Sequence, residues 1–162
     1  MAPKNKKTQK SGRKTVAASQ SRLLDLVGYN MKRAYMCVYQ DFTDTLAGLD
    51  LRQRSFSVLA MVVENTELSQ SDIARALGIE RSGTVAIVDE LEQKGLLQRL
   101  RVPDDRRAYA LQATEAGCAL FDRALELVRE HEDRVLKNLD ESEREFLSTV
   151  LKKIHNLNTE DT

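Results

Sequence analysis

The sequence contains few of the residues on which several protein classes depend. Its 162 residues include no tryptophan, two cysteines, two prolines and two histidines, and only 5% are aromatic. Two cysteines are too few for a disulfide scaffold and fit a reducing compartment, so we expect a cytoplasmic protein. The longest apolar run, Val58–Val63, has six residues, whereas a membrane span needs about 18. The composition therefore favours a single globular domain without a membrane span.

The chain also has no net charge, because its 25 basic residues balance its 25 acidic ones. DNA-binding proteins usually carry a basic excess, so the total alone argues against one. Along the chain, however, the charges are segregated. Residues 1–14 carry +6, residues 15–69 carry −1, residues 70–114 carry zero and residues 115–162 carry −5. The balance hides a basic segment, and we expect residues 1–19 to be a disordered basic tail.

Groupings that would support catalysis are missing too. His131 and His155 lie on separate predicted helices without the spacing of metal ligands. The sequence has neither a phosphate-binding glycine loop nor a nucleophile elbow. We therefore predict that the protein is not an enzyme and has no metal site and no cofactor.

Apolar residues at helical spacing predict long helices at both ends of the chain. Residues 21–47 form one predicted helix, residues 53–65 a second, and residues 114–138 another long one. A capping box of Asp140 and Glu143 opens the last helix. That helix carries an apolar stripe of Phe146, Leu147, Val150, Leu151, Ile154 and Leu157. Such a stripe has to be buried, and together with the apolar first helix it favours packing against a second copy.

Between these helices the predicted elements are short. Residues 70–77 and 82–94 read as two helices around a glycine-containing turn, and residues 96–102 and 108–113 as two strands. Pro103 is suited to the turn between the strands. This order is typical of a winged helix-turn-helix, whose second helix enters the major groove of DNA. We therefore expect a mainly α fold with a small β-hairpin wing.

The start of the second short helix carries side chains that suit DNA. Ser82 would cap the helix and approach phosphate, Gly83 would allow close backbone approach, and Arg81 can bond a guanine through two hydrogen bonds. Val85 can contact thymine methyl groups. The wing arginines suit the narrow minor groove. The predicted DNA-binding residues are Arg81, Ser82, Gly83, Val85, Arg99, Arg101, Arg106 and Arg107.

Four segments closely resemble the MarR family of transcriptional regulators. They are residues 68–79 (LSQSDIARALGI), 88–96 (VDELEQKGL), 103–108 (PDDRRA) and 114–117 (TEAG). The resemblance covers about residues 21–157, and the wing motif is its most specific part. It implies that Asp105 and Arg107 stabilise the wing while Arg106 lies near its tip in the minor groove.

The resemblance also implies an architecture and a role. Residues 20–48 and 115–158 would form a helical dimerisation region, and residues 52–113 the winged helix-turn-helix. A homodimer would bind a palindromic operator, and a small ligand would release the repressor from it. The recognition helix departs from many members, which carry polar side chains where this chain has Gly83, Val85 and Ala86.

Three of the four tyrosines lie in the first predicted helix. Apolar aromatic walls with a few polar groups suit a small aromatic ligand. The resemblance places a pocket near this helix, so the expected effector is an aromatic acid or its coenzyme A thioester, whose phosphates would need arginines. The predicted effector-binding residues are Tyr29, Arg33, Tyr35, Met36, Tyr39, Phe42 and Phe56. Packing of these aromatic side chains at a dimer interface stays open as the alternative.

Two other functions stay open. The MarR family includes hydroperoxide sensors with a reactive cysteine in the dimerisation region, where Cys37 lies. A reactive thiol needs a nearby cation or helix N-terminus, whereas Cys37 lies in mid-helix, which favours a packing role. The basic tail would also suit an architectural protein that binds DNA without sequence preference.

Overall fold

The computed structural model describes residues 20–102 and 105–154, and of residues 102 and 105–108 it describes the backbone. Within that part the chain forms seven helices and one antiparallel two-stranded hairpin. They are α1 (Ser21–Leu24), α2 (Val27–Ala47), α3 (Gln53–Glu64), α4 (Gln70–Leu77), α5 (Arg81–Gln93), β1 (Leu97–Val102), β2 (Asp105–Ala113), α6 (Glu115–Val135) and α7 (Glu141–Ile154). The mainly α fold with a β-hairpin is confirmed. The predicted basic tail of residues 1–19 lies outside the described residues.

The single helix predicted over residues 21–47 is wrong, because the structure has two helices there. At the end of α1, the Leu24 carbonyl accepts a hydrogen bond from the Asn30 side-chain amide at 2.7 Å. The Leu26 N–H donates to the Leu23 carbonyl at 3.1 Å, in a tighter turn than an α-helix makes. Gly28 weakens helix formation at the same place. Apolar spacing continues through the break, so the sequence pattern did not indicate it.

The chain divides at Ala34 into two compact units, and the second contains the hydrophobic core. Helix α3 lies at its centre and contacts α4, α5, α6 and β2. Val58, Leu59 and Val62 of α3 are buried, while Phe56, Ala60 and Val63 on the same helix are partly buried. Because α3 has neighbours on several sides, its apolar residues spread around the helix rather than along one stripe.

The hairpin is fixed to the core at its base. Strands β1 and β2 pair from Leu97, which lies opposite Ala113, to Arg101, which lies opposite Tyr109. The pairing is irregular after Arg101. The Leu111 N–H donates to the Leu68 carbonyl at 2.9 Å, which ties β2 to the segment before α4. The hairpin base therefore has a fixed position beside α4.

The start of α6 packs directly against the turn between α5 and β1. Thr114 caps α6 by accepting from the Gly117 N–H at 3.0 Å, and its hydroxyl donates to the Gly95 carbonyl at 2.7 Å. A Cβ at Gly117 would lie 2.1 Å from the Leu96 carbonyl oxygen. Only glycine allows this approach.

Candidate functional site

Local signals in the sequence position the two helices of the helix-turn-helix. Ser69 and Asp72 form a capping box, with the Asp72 N–H donating to Ser69 Oγ at 3.2 Å and the Ser69 N–H to Asp72 Oδ2 at 3.1 Å. The Ser69 hydroxyl donates to the same carboxylate and lowers the pKa of Asp72 below its usual value. Gly78 ends α4 with φ of 62°, a left-handed conformation that favours glycine. The turn into α5, the recognition helix, follows directly.

The first turn of α5, the predicted DNA-reading surface, is exposed at its first two residues. Arg81 and Ser82 are exposed and Gly83 is half-buried, while Thr84 is buried in the core. The prediction that Ser82 caps the helix is wrong, because Glu80 is the N-cap residue and no side chain caps the helix. Ser82 therefore lies within the first turn, with its hydroxyl on the surface.

The second half of α5 is acidic, and a residue from the wing neutralises part of that charge. The Arg99 guanidinium on β1 donates to the carboxylates of Asp89 and Glu92, and its side chain is only 24% exposed. Sequence reasoning predicted Arg99 as a DNA contact and overlooked both carboxylates. Their spacing of three residues on one helix was the available signal, since it places both on one face.

Lys94 neutralises a third carboxylate at the end of α5. Its ammonium donates to Glu90 Oε1 at 2.9 Å, to the Asp50 carbonyl at 3.0 Å and to Asp50 Oδ2 at 2.9 Å. These hydrogen bonds raise the pKa of Lys94 and lower that of Asp50. Asp50 has φ of 50°, in the left-handed region. The bridge joins the recognition helix to the turn between α2 and α3.

In the wing, Arg101 is exposed and lies opposite Tyr109, which is exposed as well. Sequence reasoning did not single out Tyr109, although an aromatic phenol beside an arginine suits a nucleic-acid surface. Asp105, Arg106 and Arg107 lie in β2, but their side chains lie outside the described part of the structure, so their predicted roles stay predictions.

The aromatic residues predicted to bind an effector are divided between two places. Phe42 and Phe56 belong to a packed cluster, with ring centroids 5.8 Å apart, and Phe56 stacks on Phe121 at 5.8 Å. Phe42 also meets the ring of His131 edge-on at 5.5 Å. None of the described cavities is lined by Phe42 or Phe56. The structure places these two rings in the core.

His131, in this cluster, is 1% exposed and bound to a carboxylate. Its Nδ1 lies 2.7 Å from Asp41 Oδ1, which also accepts from Arg134 Nη2 at 2.8 Å. Hydrogen bonds from His131 and then Arg134 lower the pKa of Asp41 to about 2. The cluster fixes the C-terminal half of α2 against α6.

Tyr35 and Tyr39 instead line a cavity of about 430 Å³. Their ring centroids are 5.6 Å apart. The cavity is also lined by Arg52, which precedes α3, by Arg54 in the first turn of α3, and by the recognition helix. The other lining residues are Gln53, Ser55, Gly83, Ile87 and Glu90. An adjoining depression of about 510 Å³ shares Gln53, Arg54 and Gly83 with it.

The remaining predicted effector residues lie elsewhere. In the first unit, Tyr29 and Arg33 both donate to Gln20 Oε1 at 3.0 Å, and the Arg33 guanidinium lies 6.0 Å from the Tyr29 ring centroid. Met36 and Cys37 are exposed. The structure thus brings Tyr35 and Tyr39 together with Arg52 and Arg54, which the predicted set did not contain.

Comparison with known proteins decides the family. A family model described as MarR family matches residues 47–108. The chain is 38% identical to a transcriptional repressor, CouR, bound to a 23-mer DNA duplex, covering 86% of this chain and 99% of that one with a TM-score of 0.82. The chain belongs to the MarR family. It is therefore a DNA-binding transcriptional regulator and not an enzyme.

Two further relatives support this assignment. CouR from Rhodococcus jostii RHA1, solved bound to p-coumaroyl-CoA, is 31% identical, with 84% of this chain and 96% of that chain covered and a TM-score of 0.75. The HTH-type transcriptional regulator PecS from Dickeya dadantii (strain 3937) is 30% identical over 132 residues, covering 80% of both chains. Among the described helices of this MarR-family chain, none is long and apolar enough to cross a membrane.

Proposed function

We propose that this regulator is a homodimeric repressor that leaves a palindromic operator when an aromatic acyl-coenzyme A thioester binds. The observation that carries the proposal is the cavity of about 430 Å³, which has tyrosines on one wall and arginines on another. Its volume lies in the range of small-molecule sites, roughly 300–1,000 Å³. The recognition helix forms part of its wall, so a ligand there can act on DNA binding directly.

The chemistry of the cavity fits the two ends of such a thioester. Tyr35 and Tyr39 offer aromatic faces and hydroxyl groups to an aromatic acyl group. Arg52 and Arg54 offer guanidinium groups, which bind phosphate through two hydrogen bonds. The adjoining depression, which Arg54 also lines, leaves room for an elongated ligand. The CouR structure with p-coumaroyl-CoA, a phenolic thioester, supports this ligand class.

Dimerisation is supported by the apolar surface of the terminal helices. No residue of α7 is buried, and Phe146 and Ile154 are 71% and 54% exposed. Val27 on α2 is 72% exposed. Exposed apolar surface of this extent marks an interaction site, and residues 20–48 and 115–158 are the proposed dimerisation region. The winged helix-turn-helix of residues 52–113 would then be present twice, one for each operator half-site.

Release follows if the ligand prefers the state that does not fit DNA. An effector shifts the equilibrium only by its difference in affinity for the two states. The cavity wall includes Gly83, in the first turn of α5, where DNA phosphates are expected to approach. Phosphates of the ligand and of DNA would therefore compete for the same region of the surface.

Titration of the protein–DNA complex with p-coumaroyl-CoA, free p-coumarate and coenzyme A tests the proposal. The probe is the duplex that the protein selects from a random pool, followed by fluorescence anisotropy. We expect an inverted repeat with half-site centres about 10 base pairs apart, and release by the thioester alone. Recovery of no preferred sequence would contradict the operator and favour the architectural alternative. Release by free p-coumarate would make the acid the effector.

A matched pair of arginine variants locates the ligand. R54Q should weaken p-coumaroyl-CoA binding about tenfold, the loss expected for one charged hydrogen-bonding partner. R123Q removes an exposed arginine from α6 and should leave ligand binding unchanged. Equal losses in both variants would mean that net charge, and not the cavity, governs binding.

A further inference from the structure

We propose that Arg99 is a positioning residue that sets the wing against the recognition helix and that it does not contact DNA. The sequence pattern grouped Arg99 with the other wing arginines as a DNA contact. Its surroundings differ from theirs, because its guanidinium already has two anionic partners on α5.

The geometry joins three elements at one side chain. Nη1 of Arg99 donates to Glu92 and Nη2 to Asp89, so the two carboxylates occupy separate donor groups of the planar guanidinium. With its oxygen turned toward Arg99, the Gln70 amide on α4 accepts from Nη2 at 2.8 Å. Arg99 therefore fixes β1 to both helices of the helix-turn-helix.

The electrostatics argue against a role in phosphate binding. One guanidinium between two carboxylates leaves a local charge of −1, which does not attract a polyanion. To reach DNA, the side chain would have to leave both partners, and the carboxylates would then face each other without a cation. Arg99 is only 24% exposed, so solvent compensates that loss incompletely.

Arg101 provides the contrast on the same strand. Side chains two residues apart point to the same face of a strand, so Arg99 and Arg101 share one side of the hairpin. Arg99 lies opposite Leu111, which is buried, whereas Arg101 lies opposite the exposed Tyr109. The wing thus has an inner arginine that meets the helices and an outer arginine that is available to DNA.

A fixed wing matters because two parts of the protein must fit DNA together. The recognition helix enters the major groove while the wing reaches the neighbouring minor groove. Loosening the hairpin at Arg99 would weaken the fit to the preferred sequence more than it weakens general attraction to phosphate. The specificity ratio, which is the affinity for the selected duplex over that for a scrambled duplex, is therefore the informative quantity.

The experiment compares R99Q with D89N/E92Q, which keeps Arg99 but removes its partners. The probe is the duplex that the wild-type protein selects from a random pool, against a scrambled duplex, over a range of salt concentrations. We expect both variants to lower the specificity ratio about tenfold, comparable to one mismatched base pair. The salt dependence of R99Q should match that of the wild type, because no phosphate contact is lost.

The matched control is R101Q, which should reduce the salt slope by about one phosphate contact and keep the specificity ratio. Arg99 would instead be a DNA contact if R99Q reduced the salt slope by about one phosphate contact while D89N/E92Q kept the wild-type specificity ratio. An unchanged ratio in both variants would also overturn the proposal.

Folding is checked by thermal unfolding of each variant. If R99Q does not fold, D89N/E92Q and R99K provide the same comparison. Lysine supplies a single point of charge, so R99K should restore the specificity ratio only in part. Full restoration by lysine would show that charge alone suffices and would contradict a positioning role for the guanidinium.

Discussion

Helices α5 and α7 have similar lengths, 13 and 14 residues, and both carry apolar residues at helical spacing. In α5, Thr84, Val88 and Leu91 are buried against α3 and α4, whereas no residue of α7 is buried. The stripe of α5 finds its partners within one chain. That of α7 remains exposed, with Phe146 at 71%. The same sequence pattern therefore describes an internal core in one helix and, in the other, an exposed apolar surface, which is the proposed dimer contact.

Removing an apolar side chain from α7 tests that distinction with the largest expected effect. Burial of a phenylalanine contributes about 1.5–3 kcal/mol, and two-fold symmetry counts each loss twice. F146A should therefore weaken the dimer by about 3–6 kcal/mol, measured by sedimentation across a range of protein concentrations. The neighbouring exposed residue supplies the control, and E145A should leave association unchanged. A dimer that resists F146A would mean that α7 does not form the interface.

Gly117→Ala tests the other kind of region, in which the chain packs against itself. The new methyl group would lie 2.1 Å from the Leu96 carbonyl oxygen, which is backbone and cannot move aside alone. Overpacking of this kind costs about 3 kcal/mol, and urea denaturation at fixed protein concentration should show it. A116G, at the adjacent exposed position, should cost about 1 kcal/mol through helix propensity alone. Similar losses in the two variants would contradict tight packing at Gly117.

The sequence predicted the helix-turn-helix well because its signals are local. The capping box at Ser69, the left-handed Gly78 and the left-handed Gly95 each specify the end of an element from a few neighbouring residues. Arg99 could not be assigned this way, because its partners lie seven and ten residues away on another element.

The residues predicted to bind the effector show the same limit. Phe42 and Tyr39 lie three residues apart on α2, yet Phe42 packs on Phe56 while Tyr39 lines the cavity. Aromatic composition predicted a cluster on this helix but could not divide it between core and cavity. Arg52 and Arg54 lie near in sequence, and only the fold brings them to the same cavity as the tyrosines.

A smaller effect is expected from acid, acting on the contact between α2 and α6. The lowered pKa of Asp41, about 2, means that its ionised form stabilises the folded state. This stability is present above the ordinary pKa of 3.8 and is lost as the pH falls through about 2. D41N should therefore flatten the decline in unfolding free energy over that range, measured by denaturation at each pH. D44N, on the same helix, should decline as the wild type does.

The smallest expected effect comes from Gly28, in the first turn of α2. No atom lies within 4 Å of the position that a Cβ would take there, so alanine meets no obstacle within the chain. Alanine favours helix over glycine, and G28A should stabilise the protein by about 0.5 kcal/mol. Urea denaturation measures the free energy of unfolding, and sedimentation measures the association of the subunits. Stabilisation with unchanged association would place Gly28 on the free surface, whereas a weaker dimer would place it under the partner subunit. A glycine-to-alanine substitution thus destabilises the protein at Gly117, where the chain packs on itself. At Gly28 the same substitution reports how closely a second chain approaches.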